Sequence, residues 1–229
     1  MPVQTKKFSG LTGNQLKLIA LVSMTCDHVG LQLFPDVLLL RIIGRLALPI
    51  FAYMIAEGCR YTRNRRKYLL RMVSLAAVCQ VVYFFAMGSL YQCILVTFSL
   101  SICLIYAMDR WQKRGDPASR VLAFGMLAAV FVLCVVLPHF LSGFEIDYGL
   151  MGVLLPVLIY FGRPVQNYLL GGLILLCFSY GGLQWWSLAA IPLLAVYNDQ
   201  RGKYNIGKLF YIYYPLHLVV IYGISLLVK

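Results

Sequence analysis

The residues of this sequence best suited to chemistry are ionisable side chains inside long apolar runs. The first such run, residues 14–35, contains Lys17, Asp27 and His28. A charge at the centre of a bilayer costs several kcal/mol unless it faces a partner or a wet cavity. Histidine is a common general base and sometimes a nucleophile, and a carboxylate can support such a site. His28 and Asp27 are therefore the candidate catalytic residues.

Helical geometry separates these three side chains. Lys17 and His28 are eleven residues apart, so they return to nearly the same helix face about 16 Å apart along the axis. Asp27 directly precedes His28 and points about 100° away from it, which makes the two poor partners within one helix. We expect the partner of Asp27 to lie on another span.

The second apolar run, residues 37–58, offers that partner. Arg41 and Arg45 lie four residues apart in it, and Arg45 is expected about 12 Å below the outer surface, roughly as deep as His28. Arg45 can therefore meet Asp27 or the site beside His28. A purely structural Asp27–Arg45 ion pair is the alternative, and Arg41 either joins the site or snorkels to the helix end.

The last apolar run, residues 208–228, adds Tyr214 and His217 as supporting residues. His217 enters from the cytoplasmic side and is expected near the midplane. Pro215 frees a backbone carbonyl between them, which favours a bend that lines a cavity. A packed, hydrogen-bonded histidine without a catalytic role is the other interpretation of His217.

The connection at residues 59–67 is denser in cations than topology requires. Arg60 with Arg63, and Arg63 with Arg66, form overlapping Arg-x-x-Arg spacings, and Arg71 follows in the next run. Guanidinium groups fit phosphate oxygens, so these residues are candidates for binding a phosphorylated cytosolic ligand. The alternative is an ordinary excess of positive charge attracted to anionic membrane lipid.

The connection at residues 138–149 has the opposite character. It contains Glu145 and Asp147 and has no Lys or Arg. Two carboxylates at the outer surface could attract a cationic acceptor such as an amine. A simple solvated loop is the alternative.

Composition defines the class of protein. Hydrophobic residues make up 61% of the 229 residues and charged residues only 12%, whereas soluble domains are typically about 45–50% apolar. The chain is therefore predicted to be an integral membrane protein. Its formal charge of +12 is mostly a topology signal and not a sign of nucleic-acid binding. The seven cysteines are scattered singly, so we expect packing roles and no metal site.

Nine apolar runs predict an all-α bundle of about nine transmembrane helices, with residues 1–229 forming a single domain and no cleaved signal. Basic residues fall in alternate connections, which predicts a cytoplasmic N-terminus. The three runs between residues 148 and 197 are short and interrupted by Gly and Pro, so they could be tilted, re-entrant or fused. The predicted spans are 14–35, 37–58, 68–87, 89–108, 121–138, 148–162, 168–181, 183–197 and 208–228.

Five short stretches resemble the TraX family. They are residues 27–30, 44–53, 57–62, 147–149 and 213–218, and the resemblance runs from about Leu11 to the C-terminus. That family is named for a conjugative-plasmid protein linked to N-terminal acetylation of pilin. The resemblance implies a multi-pass protein of the bacterial plasma (inner) membrane.

A weaker resemblance extends to family three of the membrane acyltransferases. Those proteins have a basic residue, ten intervening residues and a histidine on the first helix, with an Arg-x-x-Arg further on. The matching positions here are Lys17, His28 and the set Arg60, Arg63 and Arg66. Lys17 departs from the commoner arginine, which keeps the charge but loses the bidentate fork.

The two resemblances imply an acyltransferase. The co-substrate would be acetyl-CoA, held at the cytoplasmic face by Lys17, Arg60, Arg63, Arg66 and Arg71, and the acceptor would be a pilin-like peptide N-terminus or a glycan reaching in from outside. His28 would act as general base or become transiently acylated. Asp27 and Arg45 would orient the site, and the oxyanion would be stabilised by Arg45, His217 or Tyr214.

Two other classes of function remain open at this point. Buried Asp, His and Arg residues in broken helices also form ion relays, so a transporter or proton-coupled carrier is one alternative, although the sequence has no internal repeat. The other is a non-enzymatic membrane assembly factor for a pilus or secretion system, in which the polar residues would be structural.

Overall fold

The computed structural model describes residues 10–162, 164–203 and 207–228. These residues form helices joined by short connections, and isolated bridges pair Leu11 with Tyr197 and Gln92 with Ile146. The predicted cytoplasmic N-terminus, residues 1–9, lies outside the described residues. The helices are α1 Gly13–Gln32, α2 Leu38–Gly44, α3 Ala47–Tyr61, α4 Arg65–Met87, α5 Ile94–Arg114, α6 Pro117–Phe131, α7 Leu137–Phe140, α8 Gly149–Phe161, α9 Val165–Tyr180, α10 Ala190–Ala195 and α11 Gly207–Val228.

Local sequence signals set several helix ends. Thr12 opens α1 with a capping box, in which its hydroxyl accepts the N–H of Gln15 and the Gln15 side chain accepts the N–H of Thr12. Asn64 caps α4 by accepting the N–H of Lys67 at 2.8 Å. Gly115, with φ of 68°, closes α5 in the left-handed conformation that glycine adopts without strain.

Four helical segments of the described chain are long and apolar enough to cross a membrane, and four more are apolar but shorter. This supports an all-α integral membrane protein but does not support about nine separate spans. α1 is absent from the first group because its polar residues, including Lys17 and Asp27, lower its mean hydropathy. The long segments are Leu38–Tyr61, Arg65–Phe85, Ile94–Arg114 and Pro117–Phe140, and the shorter ones are Gly149–Phe161, Val165–Tyr180, Gly182–Ala195 and Ile212–Val228.

Two of the predicted spans are interrupted. The span predicted over 37–58 consists of α2 and α3, with a break at Arg45 and Leu46. The span predicted over 183–197 consists of a 3₁₀ helix, Gly182–Ala189, followed by the short α10. Hydropathy does not detect such breaks, because the residues on both sides of each one are apolar.

The helices pack around a core formed mainly by α3, α5 and α8. Ile50, Ile102 and Ile159 are fully buried in it. α1 packs against α2, α3 and α11, and α11 also contacts α4. The first and last apolar runs of the sequence are therefore neighbours, which brings their histidines within reach of each other.

The outward faces of three helices expose large apolar side chains. Phe85 of α4 is 79% exposed, Val121 of α6 is 72% exposed and Leu227 of α11 is 87% exposed. Extended apolar surface of this kind is unfavourable in water and suits lipid tails. The surface thus agrees with placement in a membrane.

Candidate functional site

Two cavities lie at different ends of α1. The first, called the His28 cavity here, has a volume of about 540 Å³, and its wall includes Asp27, His28, Arg41, Arg45, Glu145 and Asp147. The second, called the Lys17 cavity, has a volume of about 510 Å³ and is lined by Lys17 and Tyr214 among mainly apolar residues. Lys17 and His28, which the sequence placed on one helix face, thus open on separate cavities.

Asp27 is bound by two arginines of the second apolar run. Its Oδ1 lies 3.0 Å from Nη1 of Arg41 and is also contacted by Nη2 of Arg45. Arg41 additionally donates to the backbone carbonyl of Asp27 at 3.2 Å. The predicted partner of Asp27 is therefore confirmed, and Arg41 joins it, so that one carboxylate holds two guanidinium groups at the wall of the His28 cavity.

Glycine permits this close approach of α1 and α2. A Cβ at Gly44 would collide with the Asp27 side chain, and one at Gly30 would lie 2.9 Å from Cβ of Leu40. Any larger residue at Gly44 would push Asp27 away from its arginines.

Arg45 also connects α1 to the start of α8. Its Nη1 donates to the hydroxyl of Tyr148 at 2.9 Å, and its Nε donates to the carbonyl of Arg41 at 3.3 Å. Tyr148 precedes α8 in the left-handed conformation, with φ of 57°. The break between α2 and α3 falls at Arg45 itself, so the interruption and the ion-pair network coincide.

The connection at residues 138–149 contributes two carboxylates to the His28 cavity. Tyr91 donates to Oδ1 of Asp147 at 2.6 Å, whereas Glu145 is exposed and has no ion pair within the described part of the chain. Burial raises the pKa of Asp147 to about 6, against the lowering by the Tyr91 hydrogen bond and the Arg45 guanidinium. Tyr91 was not identified from the sequence, since a single tyrosine in an apolar chain carries no distinctive pattern, and Tyr148 was singled out only as part of the family-like stretch 147–149 and not as a site residue.

His28 contacts His217 of α11. Nδ1 of His28 lies 2.9 Å from Nε2 of His217, and Nδ1 of His217 lies 3.0 Å from the carbonyl oxygen of Tyr213. The Tyr213 hydroxyl is 2.7 Å from Oγ1 of Thr25 on α1, and His217 is only 6% exposed. The structure thus places the two predicted histidines in direct contact, a pairing that the sequence did not predict.

The Lys17 cavity is apolar with a few polar groups. Nζ of Lys17 lies 6.0 Å from the ring centroid of Phe210, and the wall also includes Phe98 and Arg201. Tyr214, which was predicted to support the reaction, lines this cavity. It therefore lies on the Lys17 side and not beside Asp27.

Arg60 is engaged by the protein itself. It donates to Glu57 at 3.1 Å and to the carbonyls of Ile159 and Tyr160 at the end of α8, the latter at 2.8 Å. These last carbonyls of a helix lack partners within it and carry its negative dipole end, which a guanidinium satisfies. Arg60 therefore ties the end of α3 to the end of α8.

The other predicted phosphate ligands differ from Arg60. Arg63, Arg66 and Arg71 are exposed, and none of them lines either cavity. Arg65, which was not predicted, pairs with Asp109 of α5 at 2.6 Å. The basic segment thus combines residues used to join helices with residues that face outward.

Within the described ranges, His, Cys, Asp and Glu side chains form no group of three or more that could hold a metal ion.

Comparison with known proteins defines the family. The family model described as TraX protein matches residues 12–225. A probable fimbrial assembly protein FimC, serogroup H1, of Dichelobacter nodosus is 25% identical over 90% of this chain and 93% of its own length. An uncharacterised protein of Rickettsia prowazekii (strain Madrid E) is 26% identical over 62% of this chain and 52% of its own length. No solved structure matches the chain significantly. Because the family match extends from the first turn of α1 to the last turns of α11, the chain belongs to the TraX family.

Proposed function

We propose that this protein is a membrane acyltransferase that moves an acetyl group from cytosolic acetyl-CoA to an amine or hydroxyl acceptor. The observation that carries the proposal is the position of His28, which lies in the wall of one cavity while Lys17 of the same helix lies in a second. A donor and an acceptor can thus approach one helix from different ends. The bacterial inner membrane, with the N-terminus in the cytoplasm, is the proposed location.

Acetyl transfer needs a base, a nucleophile and a site for the oxyanion. The acceptor nitrogen or oxygen attacks the thioester carbonyl, His28 takes its proton, the carbon–sulfur bond breaks and CoA leaves as a thiolate that regains the proton. Direct transfer of this kind is the simpler course, and a transient acyl-histidine at His28 is the alternative.

The geometry favours Arg45 for stabilising the oxyanion. Both ring nitrogens of His217 are engaged, by His28 and by the Tyr213 carbonyl, and Tyr214 lines the Lys17 cavity. Arg45 lies in the same wall as His28. Four of its five N–H donors are directed at protein partners, which leaves one donor for an oxyanion, and guanidinium groups stabilise developing negative charge effectively in sites that exclude water.

The donor site is proposed at the Lys17 end. Lys17 and the exposed Arg63, Arg66 and Arg71 supply positive charge for the phosphates of CoA. The separation of Lys17 and His28 along α1, about 16 Å, is similar to the length of a pantetheine arm. Arg60 is removed from this group because its guanidinium is used at the end of α8.

The acceptor side is proposed at the mouth of the His28 cavity. Glu145 and Asp147 lie there, and their charge suits a peptide N-terminus. The name of the Dichelobacter nodosus relative refers to fimbrial assembly, which agrees with a pilin-like peptide as acceptor, and a glycan is the second candidate.

The test uses the purified protein in lipid nanodiscs with radiolabelled acetyl-CoA and a pilin-like peptide. His28→Ala should abolish acetyl transfer while the protein still inserts and elutes as wild type. His139→Ala is the matched control, because His139 is exposed and its Nδ1 donates to the carbonyl of Val135, four residues earlier in the chain. Full activity of His28→Ala would refute the role of His28 as the general base.

A non-enzymatic assembly factor is the second candidate, favoured by the name of the same relative. In that case CoA would not raise the unfolding temperature of the purified protein. Stabilisation by CoA would favour the enzyme. A carrier, the remaining alternative, would move its solute across vesicle membranes without consuming acetyl-CoA.

A further inference from the structure

The protons of the His28–His217 pair can be assigned from the hydrogen bonds. A carbonyl oxygen can only accept, so Nδ1 of His217, which lies 3.0 Å from the Tyr213 oxygen, must carry the N–H. A neutral imidazole has one N–H, which leaves Nε2 of His217 as an acceptor. Since Nδ1 of His28 lies 2.9 Å from that nitrogen, His28 must donate from Nδ1.

The consequence for His28 is a basic Nε2. With its proton on Nδ1 and directed at His217, the His28 ring keeps the lone pair on the nitrogen opposite. His28 lines the His28 cavity and His217 does not, so Nε2 is the nitrogen left for a ligand in that cavity. The reverse assignment would set the bare Nδ1 of His217 against the Tyr213 oxygen and place two lone pairs face to face.

Packing holds His217 in the orientation that this assignment needs. The Tyr213 ring is nearly parallel to the His217 ring, with centroids 5.4 Å apart, and the Tyr214 ring meets it edge-on at 5.3 Å. The hydrogen bond between Tyr213 and Thr25 fixes α11 to α1 at the same level. The ring therefore has little freedom to rotate and offer its other nitrogen.

We propose that His217 is a positioning residue, which holds His28 in its Nδ1–H tautomer and so makes Nε2 of His28 the base that faces the acceptor. This rests on the proposed role of His28 in acyl transfer. When Nε2 takes the proton of the acceptor, the hydrogen bond from Nδ1 to His217 becomes charge-assisted, and the positive charge is stabilised through His217 towards the Tyr213 carbonyl.

The tautomer can be measured without any activity assay. The chain has three histidines, so labelling their rings with ¹⁵N gives three pairs of nitrogen signals in solid-state or nanodisc NMR. His28→Gln, His139→Gln and His217→Gln assign them by the loss of one pair each. We expect His28 to be protonated at Nδ1 and bare at Nε2 at neutral pH.

Substitution of His217 then tests the cause. His217→Leu removes the acceptor, and His28 should move towards the Nε2–H form that free histidine prefers, with kcat falling about 100-fold and KM for acetyl-CoA unchanged. His217→Gln, whose Oε1 can accept from Nδ1 of His28, should keep the Nδ1–H form and recover most of the activity. The Gln variant also keeps the test decisive if the Leu variant does not fold.

Two results would overturn the proposal: an Nε2–H tautomer of His28 in the wild-type protein, or an unchanged Nδ1–H tautomer in His217→Leu. Both are read from the nitrogen signals alone. A protein that shows the expected tautomers but transfers no acetyl group would refute the proposed function and leave the role of His217 in orienting the His28 ring intact.

Discussion

Arg45 is bound to Asp27 across the boundary between α1 and the interrupted second run of the chain. Asp27 directly precedes the candidate base His28, and Arg45 lies in the break between α2 and α3. Because Arg45 also donates to Tyr148, three parts of the sequence meet at one guanidinium group. The consequences of this arrangement can be measured.

Asp27→Asn should destabilise the protein strongly. Its carboxylate is the partner of both Arg41 and Arg45, and breaking a largely buried pair from one side costs about 3–5 kcal/mol because charge is left without compensation. The exposed Asp36→Asn is the matched control. Unfolding monitored in detergent should show a clear loss of free energy of unfolding for Asp27→Asn only. Equal stability of the two variants would contradict the ion-pair network of Asp27 with Arg41 and Arg45.

Gly44→Ala should separate α1 from α2. An added Cβ collides with the Asp27 side chain, and overpacking of this kind costs about 1–3 kcal/mol. Gly125→Ala in α6 is the control, because nothing lies within 4 Å of its added Cβ and alanine is the better helix former. The midpoint temperature of thermal unfolding should therefore fall for Gly44→Ala and stay unchanged or rise for Gly125→Ala.

Arg60→Gln and Arg63→Gln should have different effects despite their shared spacing motif. Loss of the Arg60 guanidinium removes its hydrogen bonds to Glu57 and to the last carbonyls of α8, which should cost about 2 kcal/mol of stability. Arg63 is exposed, so its replacement should leave the unfolding temperature unchanged and raise KM for acetyl-CoA. The unfolding temperature and the KM together distinguish structural from ligand-binding arginines. The same change in both quantities for the two variants would show that this distinction is wrong.

Asp147 should give the protein a pH-dependent stability. Its folded pKa of about 6 lies above the ordinary aspartate value of about 3.9, so its contribution is fully present below pH 4 and is lost as the pH rises through 6. Asp147→Asn keeps an acceptor for the Tyr91 hydroxyl and cannot ionise. The variant should therefore gain stability over wild type above pH 6, and parallel stability curves from pH 4 to pH 8 would exclude this.

Part of the site follows directly from helical periodicity. The spacing of Lys17 and His28, and the offset of Asp27 towards another helix, are local properties that one residue step of about 100° determines. The expected depth of Arg45 in the second apolar run, similar to that of His28, then indicated Arg45 as the partner of Asp27. The prediction of the Asp27–Arg45 contact succeeds because the two residues are close in sequence, eighteen positions apart.

Contacts between distant segments could not be derived in the same way. His28 and His217 are separated by 189 positions, and their meeting depends on how α11 packs against α1 and α4. Arg60 illustrates the converse case, because its spacing suggested a phosphate ligand while the end of α8, about a hundred residues later, takes up its donors. About nine separate spans are not supported, because hydropathy does not register the break after Gly44 and does not show that several of the later apolar helices are shorter than a membrane span.

α1 is a shared wall of two cavities, and this has a thermodynamic consequence. A helix with intact backbone hydrogen bonds is stiff, so a ligand that shifted the Lys17 end of α1 would also shift His28, which lines the other cavity. Occupancy of one cavity would then change the binding free energy in the other. By linkage the effect is reciprocal: whatever factor the donor imposes on acceptor affinity, the acceptor imposes on donor affinity.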